Sequence, residues 1–157
     1  MQVSAIPMES LAELFSLQME NGGIARLVVT GSSMHPTLRD RRDVVYLSTI
    51  DRPLKKKDLI LYQRDNGQYI LHRIVSKPKN DQFICSGDNQ WEKEPVRREQ
   101  ALAIVKKCKR GKKILTERSF GLRLWVTFWV AIFPLRRPIL AARRSVGKLI
   151  RKLKYTL

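Results

Sequence analysis

Ser32, Ser33, His35 and His72 are the residues of this 157-residue chain whose types most readily suit acyl-transfer chemistry. Ser33 lies in Val29-Thr30-Gly31-Ser32-Ser33-Met34-His35-Pro36-Thr37-Leu38, where Gly31 and Pro36 favour a constrained turn. His72 follows 39 residues later, in the strand-like run Tyr69-Ile70-Leu71-His72-Arg73-Ile74. A hydroxyl is a weak nucleophile until a base takes its proton, and neutral imidazole, with an unperturbed pKa of about 6.5, can do so. Next, Cys85-Ser86-Gly87-Asp88-Asn89 supplies an acidic turn. A carboxylate on the ring nitrogen remote from the serine would fix the imidazole tautomer and stabilise the imidazolium that forms. Alone, each of these residues reads as a turn serine, a core histidine or a turn aspartate. In the order Ser, His, acid, each near a strand end, they predict a serine peptidase with Ser33 as nucleophile and His72 as base. Ser32 is the neighbouring alternative.

The elements that must position these groups change period along the chain. Residues 8–20 read as a short helix with Leu11, Leu14, Phe15 and Leu17 or Gln18 near one face, ended by Gly22-Gly23. From Ile24 to about Leu115 the pattern becomes short β-branched runs. Strands are predicted over Ala25–Thr30, Asp43–Leu47, Leu59–Gln63, Tyr69–Val75, Gln82–Cys85 and Ala101–Lys107. Asp65-Asn66-Gly67 predicts a hairpin turn, and Arg110-Gly111 a second. So many short strands in so few residues predict a mainly β, antiparallel, partly closed domain. Three regions follow: an N-terminal helix over 1–23, a β-domain over 24–117 and a helical basic tail over 118–157.

Net charge is +17, and its distribution matters more than its size. Residues 106–157 hold 16 of the 31 Lys and Arg and one acid, Glu117. The rest of the chain is nearly balanced, so the excess belongs to the tail. Leu124 to Phe133 is apolar on every side but only ten residues long, against the ~20 of a comfortable membrane span. After Pro138, residues Ile139, Ala142, Val146, Leu149, Ile150 and Leu153 share one helical face, with Arg143, Arg144, Lys148, Arg151, Lys152 and Lys154 on the others. Such a segment suits the interface of an anionic bilayer. Packing on its own domain is the competing expectation. Nucleic acid is disfavoured as a partner because the tryptophans form one apolar block and do not interleave with the basic residues as stacking platforms.

Residues 1–20 carry Glu9, Glu13 and Glu20, lack a basic start and contain no long apolar run. The expectation is therefore no signal peptide and a cytoplasmic address, at the membrane face if the tail docks. Cys85 and Cys108 make no disulfide framework and show no zinc spacing, so neither a metal nor a cofactor is expected.

Gly31-x-Ser33-Met34-x-Pro36-Thr37-Leu38, Asp43-Val44-Val45, Leu54 to Leu61, His72-Arg73-Ile74 and Gly87-Asp88-Asn89 together resemble the successive boxes of type I signal peptidases. The wider superfamily includes the LexA-like self-cleaving repressors. The likeness covers roughly residues 24–108 and is to the histidine-base type of the endoplasmic reticulum and archaea. The usual bacterial type carries lysine where this chain has His72. The resemblance implies a coiled, partly closed β-domain with Ser33 as nucleophile and His72 as base. It implies an oxyanion site formed by the Ser33 N–H together with a donor near Gly31. It also implies an orienting acid six residues beyond Asp88, which is Glu94, with Glu92 nearby and Asp88 as a possible brace.

The chain departs from that pattern in two respects. Signal peptidases carry an N-terminal membrane span before the serine box, where this sequence has none; the basic tail could replace it. Arg41 or Arg42, and Lys57, stand where glycines are expected before Asp43 and Asp58. A non-glycine residue at positive φ costs about 1 kcal/mol, which a fold can absorb. The implied activity is endopeptidase cleavage of an extended peptide, such as a leader or signal peptide. The alternative is a catalytically inactive, membrane-associated binding protein on the same fold. A repressor role is disfavoured, because 23 residues before the β-domain cannot hold a helix-turn-helix domain.

Overall fold

A computed structural model describes residues 23–76, 79–116, 118–143 and 145. The helix expected over 8–20 and the tail beyond residue 145 lie outside the described residues.

The β-branched and aromatic runs form eight strands: β1 Ala25–Val28, β2 Val44–Ser48, β3 Leu59–Gln63, β4 Tyr69–Ile74, β5 Gln82–Ser86, β6 Glu94–Arg97, β7 Ala101–Arg110 and β8 Lys113–Thr116. They make one antiparallel sheet in the order β1-β2-β7-β3-β4-β5-β6, with β8 also on β7. Register shifts at Tyr46/Leu47 and Leu61/Tyr62 mark bulges, which increase local twist. The sheet curls into a half-barrel.

Strand β3 explains why the Leu59-Ile60-Leu61-Tyr62 run is continuously apolar. Alternate side chains enter two cores on opposite faces. Leu59 and Leu61 join Val29, Met34, Leu38, Val45 and Val105. Ile60 and Tyr62 join Ile74, Phe83, Cys85 and Val96. Both cysteines are buried and unpaired.

The β3–β4 hairpin turns at the expected place. Gly67 takes φ 83° and donates its N–H to the Arg64 carbonyl at 2.9 Å, while Asn66 stays out of the positive-φ region. The turn sets Ile60 opposite His72 and Tyr62 opposite Ile70. Strand β6 is the element that the sequence reading lacks, because Pro95 argues against a strand. It lies at the sheet's edge, where a missing N–H need not cost a ladder bond.

After β8 the chain enters two short helices, α1 Phe120–Ala131 and α2 Phe133–Arg143, bent by 64°. The second opens in a 3-10 turn over Phe133–Leu135, with Pro134 in its first turn. Proline has no N–H to continue α1's ladder, so the break falls there. No single helix among the described residues is long and apolar enough to cross a membrane. Val126, Trp129, Val130, Phe133, Arg136 and Leu140 are buried, whereas Phe120, Leu124, Phe128, Leu135 and Ile139 are exposed.

Candidate active site

The Ser33 turn is built by its own backbone and by Asp40. Gly31, at φ 82°, donates its N–H to Asp40 Oδ1 at 2.8 Å. The Ser32 carbonyl accepts the His35 N–H at 3.1 Å, and the Met34 carbonyl accepts the Leu38 N–H at 2.9 Å. Met34 and Leu38 sink into the core, leaving Ser33 half-buried and Ser32 exposed. Arg41 (φ 51°) and Lys57 (φ 84°) adopt the left-handed backbone expected where the resemblance calls for glycine.

The Gly87-Asp88-Asn89 turn is seated against the serine turn. Asn89 donates its N–H to the Ser33 carbonyl at 2.7 Å. A Cβ on Gly87 would come within 2.6 Å of that carbonyl oxygen, so glycine is what permits the approach. Asp88 is fully buried and accepts from Arg73 Nε at 3.0 Å and Nη2 at 2.9 Å. Burial pushes the Asp88 carboxyl up, but Arg73, Thr37 and Arg136 outweigh it and hold it below the ordinary carboxylate range. Asp88 is thus a brace between β4 and the serine turn; its hydrogen bonds do not reach His72.

The C-terminal helices clamp the same two turns. Trp125 donates its indole N–H to Thr37 Oγ1 at 2.9 Å, and Trp129 to the Asp88 carbonyl at 2.8 Å. Arg143 Nη2 lies 3.0 Å from His35 Nδ1. Arg136 has no exposed surface. It donates to the Gly87 carbonyl at 3.1 Å and to the Trp129 carbonyl at 3.0 and 3.2 Å, between the rings of Trp129 and Phe133. The helices expected to serve as an anchor are therefore part of the scaffold around Ser33.

His72 sits on the other face of β4 from its neighbour Arg73, nearly buried at 5 % exposure. Its Nδ1 is 3.3 Å from the Tyr62 hydroxyl oxygen. That hydroxyl donates to Glu94 Oε2 at 2.8 Å, and Arg64 holds both Glu94 oxygens at 2.6 Å. Burial pulls the His72 pKa down to about 4, with Arg64 adding to the shift and Glu94 and Asp88 opposing it. The Arg64 hydrogen bonds hold Glu94 below the ordinary glutamate range despite partial burial.

The structure therefore gathers the sequence-derived site into two halves. Ser33, Gly87, Asp88 and Asn89 form one, and His72, Tyr62, Glu94 and Arg64 the other. They are tied through the adjacent pair His72-Arg73 and the Arg73–Asp88 bridge. No hydrogen bond joins Ser33 Oγ to His72 in this structure. Glu94 reaches His72 only through Tyr62, and Glu92 is exposed, accepting the Trp91 N–H at 3.2 Å.

Sequence reasoning missed Tyr62, Arg64, Trp129 and Arg136 as site residues. For Tyr62 a signal existed. A hairpin centred on Asn66 puts residues 60 and 72 opposite one another, and residue 62 is then the next side chain on that face. Among the described residues, no group of three or more His, Cys, Asp or Glu is arranged to hold a metal ion. Compared with known proteins, the chain matches no family model, and no curated protein matches it significantly.

Proposed function

We propose that this chain is a serine endopeptidase of the signal-peptidase-like type, acting on an extended peptide such as a leader or signal peptide. The observation that carries the reading is the seating of the Gly87-Asp88-Asn89 turn on the Ser33 carbonyl while Arg73, the residue beside His72, grips Asp88. Two remote segments with the required chemistry are thereby held to one another. The curled antiparallel half-barrel and the positive φ angles of Arg41 and Lys57 support a fold of the signal-peptidase/LexA-like kind.

In this mechanism Ser33 Oγ attacks the peptide carbonyl carbon as its proton passes to His72. The C–N bond breaks, and the new amine leaves with that proton. Water then repeats the sequence on the acyl-enzyme, again with His72 as base. The Ser33 N–H is the local donor for the oxyanion. The mechanism requires the bound peptide to bring Ser33 Oγ within reach of His72, as catalytic hydrogen bonds commonly tighten only in the substrate complex. An extended peptide would join a sheet edge as an added strand. No cofactor takes part.

The same proposal places the protein on the cytoplasmic face of an anionic membrane. Phe120, Leu124, Phe128, Leu135 and Ile139 leave an outward apolar surface on α1 and α2, with Phe120 75 % exposed. Arg118, Arg123 and Arg137 are exposed beside it, and interfacial binding scales with apolar area and with attraction to anionic lipid. The absent Ser33–His72 hydrogen bond favours one second reading, a catalytically inactive binding protein on this fold.

A serine-directed fluorophosphonate probe separates the two readings. Wild type and Ser32→Ala are expected to label, while Ser33→Ala and His72→Ala are not. An unlabelled wild type, or a labelled Ser33→Ala, overturns the peptidase reading.

A further inference from the structure

The proton count around Tyr62 assigns it a role in the histidine half of the site. Glu94 is an ionised carboxylate, held as such by the Arg64 fork at 2.6 Å on both oxygens, so it can only accept. Tyr62 has one hydroxyl proton. It lies 2.8 Å from Glu94 Oε2 and 3.3 Å from His72 Nδ1, so that proton belongs to the Glu94 bond. The Tyr62 oxygen is then an acceptor toward His72, and the pairing is satisfied only when His72 carries its proton on Nδ1.

We infer that Tyr62 is a positioning residue, holding neutral His72 in the Nδ1–H tautomer and so leaving the Nε2 lone pair free as the base. The inference rests on the peptidase reading for its catalytic meaning, but the tautomer stands on the hydrogen bonds alone.

Three features suit Tyr62 to this role. It is fully buried on the same sheet face as His72, two pairs along the β3–β4 hairpin, so strand register sets the geometry. Its hydroxyl is bonded at both ends. Burial, and then Glu94, push its pKa further up, so it does not give its proton away. The carboxylate that orients a catalytic histidine elsewhere by direct contact acts here through one phenol. During acylation His72 Nε2 gains the Ser33 proton and Nδ1 keeps its own. The imidazolium then donates to Tyr62, which still donates to Glu94. No proton crosses the phenol, and the charge balance is complete within the imidazole. Arg64 offsets much of the Glu94 charge, so the chain orients the ring more than it raises its basicity.

Long-range proton–nitrogen NMR spectra of ¹⁵N-histidine-labelled full-length protein at neutral pH test the tautomer directly, His72 being assigned with a His35→Asn variant. Wild type is expected to show a protonated Nδ1 and an unprotonated Nε2. Tyr62→Phe keeps the ring and removes the acceptor, so His72 should move toward the Nε2–H form that histidine prefers in water. Fluorophosphonate labelling should slow by about ten- to a hundredfold, less than the loss of a whole general base. Glu94→Gln tests the far end, and should shift the tautomer without removing Tyr62. A wild-type His72 protonated at Nε2 overturns the inference. So does a folded Tyr62→Phe with unchanged tautomer and labelling rate. Absent labelling in wild type, with His72 still protonated at Nδ1, overturns the peptidase reading and supports the tautomer assignment.

Discussion

Replacing Arg136 with methionine tests whether the C-terminal helices are a scaffold for the serine turn or a separable appendage. The side chain fills a fully buried slot between Trp129 and Phe133, its guanidinium 5.0 and 4.7 Å from their ring centres. Methionine keeps much of that volume and loses the donors to the Gly87 and Trp129 carbonyls. The Gly87 carbonyl keeps the Gln90 N–H and the Ser86 hydroxyl. The cost is therefore that of losing charge-assisted bonds to two carbonyls, about 1.5–3 kcal/mol each, with the lost cation–π contacts about 2 more. Against this stands the desolvation of a buried guanidinium, visible in an Arg136 pKa pulled down to about 10. Relieving it returns about 3 kcal/mol, at 1.36 kcal/mol per pKa unit. Asp88 retains its two-point bond to Arg73. The net is a loss of about 3 kcal/mol, or a melting temperature lower by roughly 6–12 °C for a chain of this size. The local effect is the sharper readout. Asn89 reports the seat of Ser33 because its N–H donates to that carbonyl. Its amide exchange should accelerate at least tenfold more than that of the β3 and β7 core amides. Arg136→Lys should recover only part of the loss, since an ammonium does not reproduce the planar fork. An Arg136→Met protein with unchanged melting temperature and Asn89 protection would refute the scaffold argument.

Other perturbations follow from the same contacts. Gly87→Ala drives a Cβ to 2.6 Å from the Ser33 carbonyl oxygen and from Gln90 Oε1; a cost of about 1–3 kcal/mol and loss of probe labelling are expected by thermal melt and mass spectrometry. Lys57→Gly removes a side chain from a φ of 84° and should stabilise by about 1 kcal/mol, less the exposed bond from Lys57 Nζ to Thr127. His72 makes stability depend on pH. Its folded pKa of about 4 lies below the unfolded 6.5, so between these values the unfolded chain binds the extra proton. Stability should therefore be full above pH 6.5 and fall by about 3 kcal/mol as pH drops through 4, a slope that denaturant titrations should find missing in His72→Gln. For membrane docking, Phe120→Ser, Leu124→Ser and Phe128→Ser together should abolish flotation with phosphatidylglycerol vesicles while leaving the melting temperature nearly unchanged, because all three side chains face outward. Equal flotation of wild type and variant would sink the docking proposal.

Much of the framework was legible in the residues themselves. Tyr69-Ile70-Leu71-His72-Arg73-Ile74 and Leu59-Ile60-Leu61-Tyr62-Gln63 read as strands, and Asp65-Asn66-Gly67 as their turn. Their register then follows from local geometry, because a short hairpin loop leaves few ways to pair its flanks. The Ser33 turn was equally legible, being written in Gly31 and Pro36. Strand β6 was hidden by Pro95, whose lack of an N–H rules out a central strand but not an edge. Nothing in the tail's charge pattern separated a membrane-facing side from a domain-facing one. Arg136 looks like one more basic residue, and only packing between Trp129 and Phe133 makes it a buried brace.

Residue type and neighbours a few positions away suffice to mark the groups suited to chemistry and the local turns and strands that carry them. Their partners come from long-range packing. Glu94 is 22 residues from His72, and Arg136 is 49 from Gly87. Their meeting depends on how β4, β5 and β6 pair and on where α1 and α2 come to rest. A hydrogen bond is decided within a few tenths of an ångström, a precision that periodicity and spacing do not carry. That is why the resemblance could name Glu94 and the hairpin could set Tyr62 on the His72 face, while the Tyr62 bridge between Glu94 and His72 emerged only from the folded sheet.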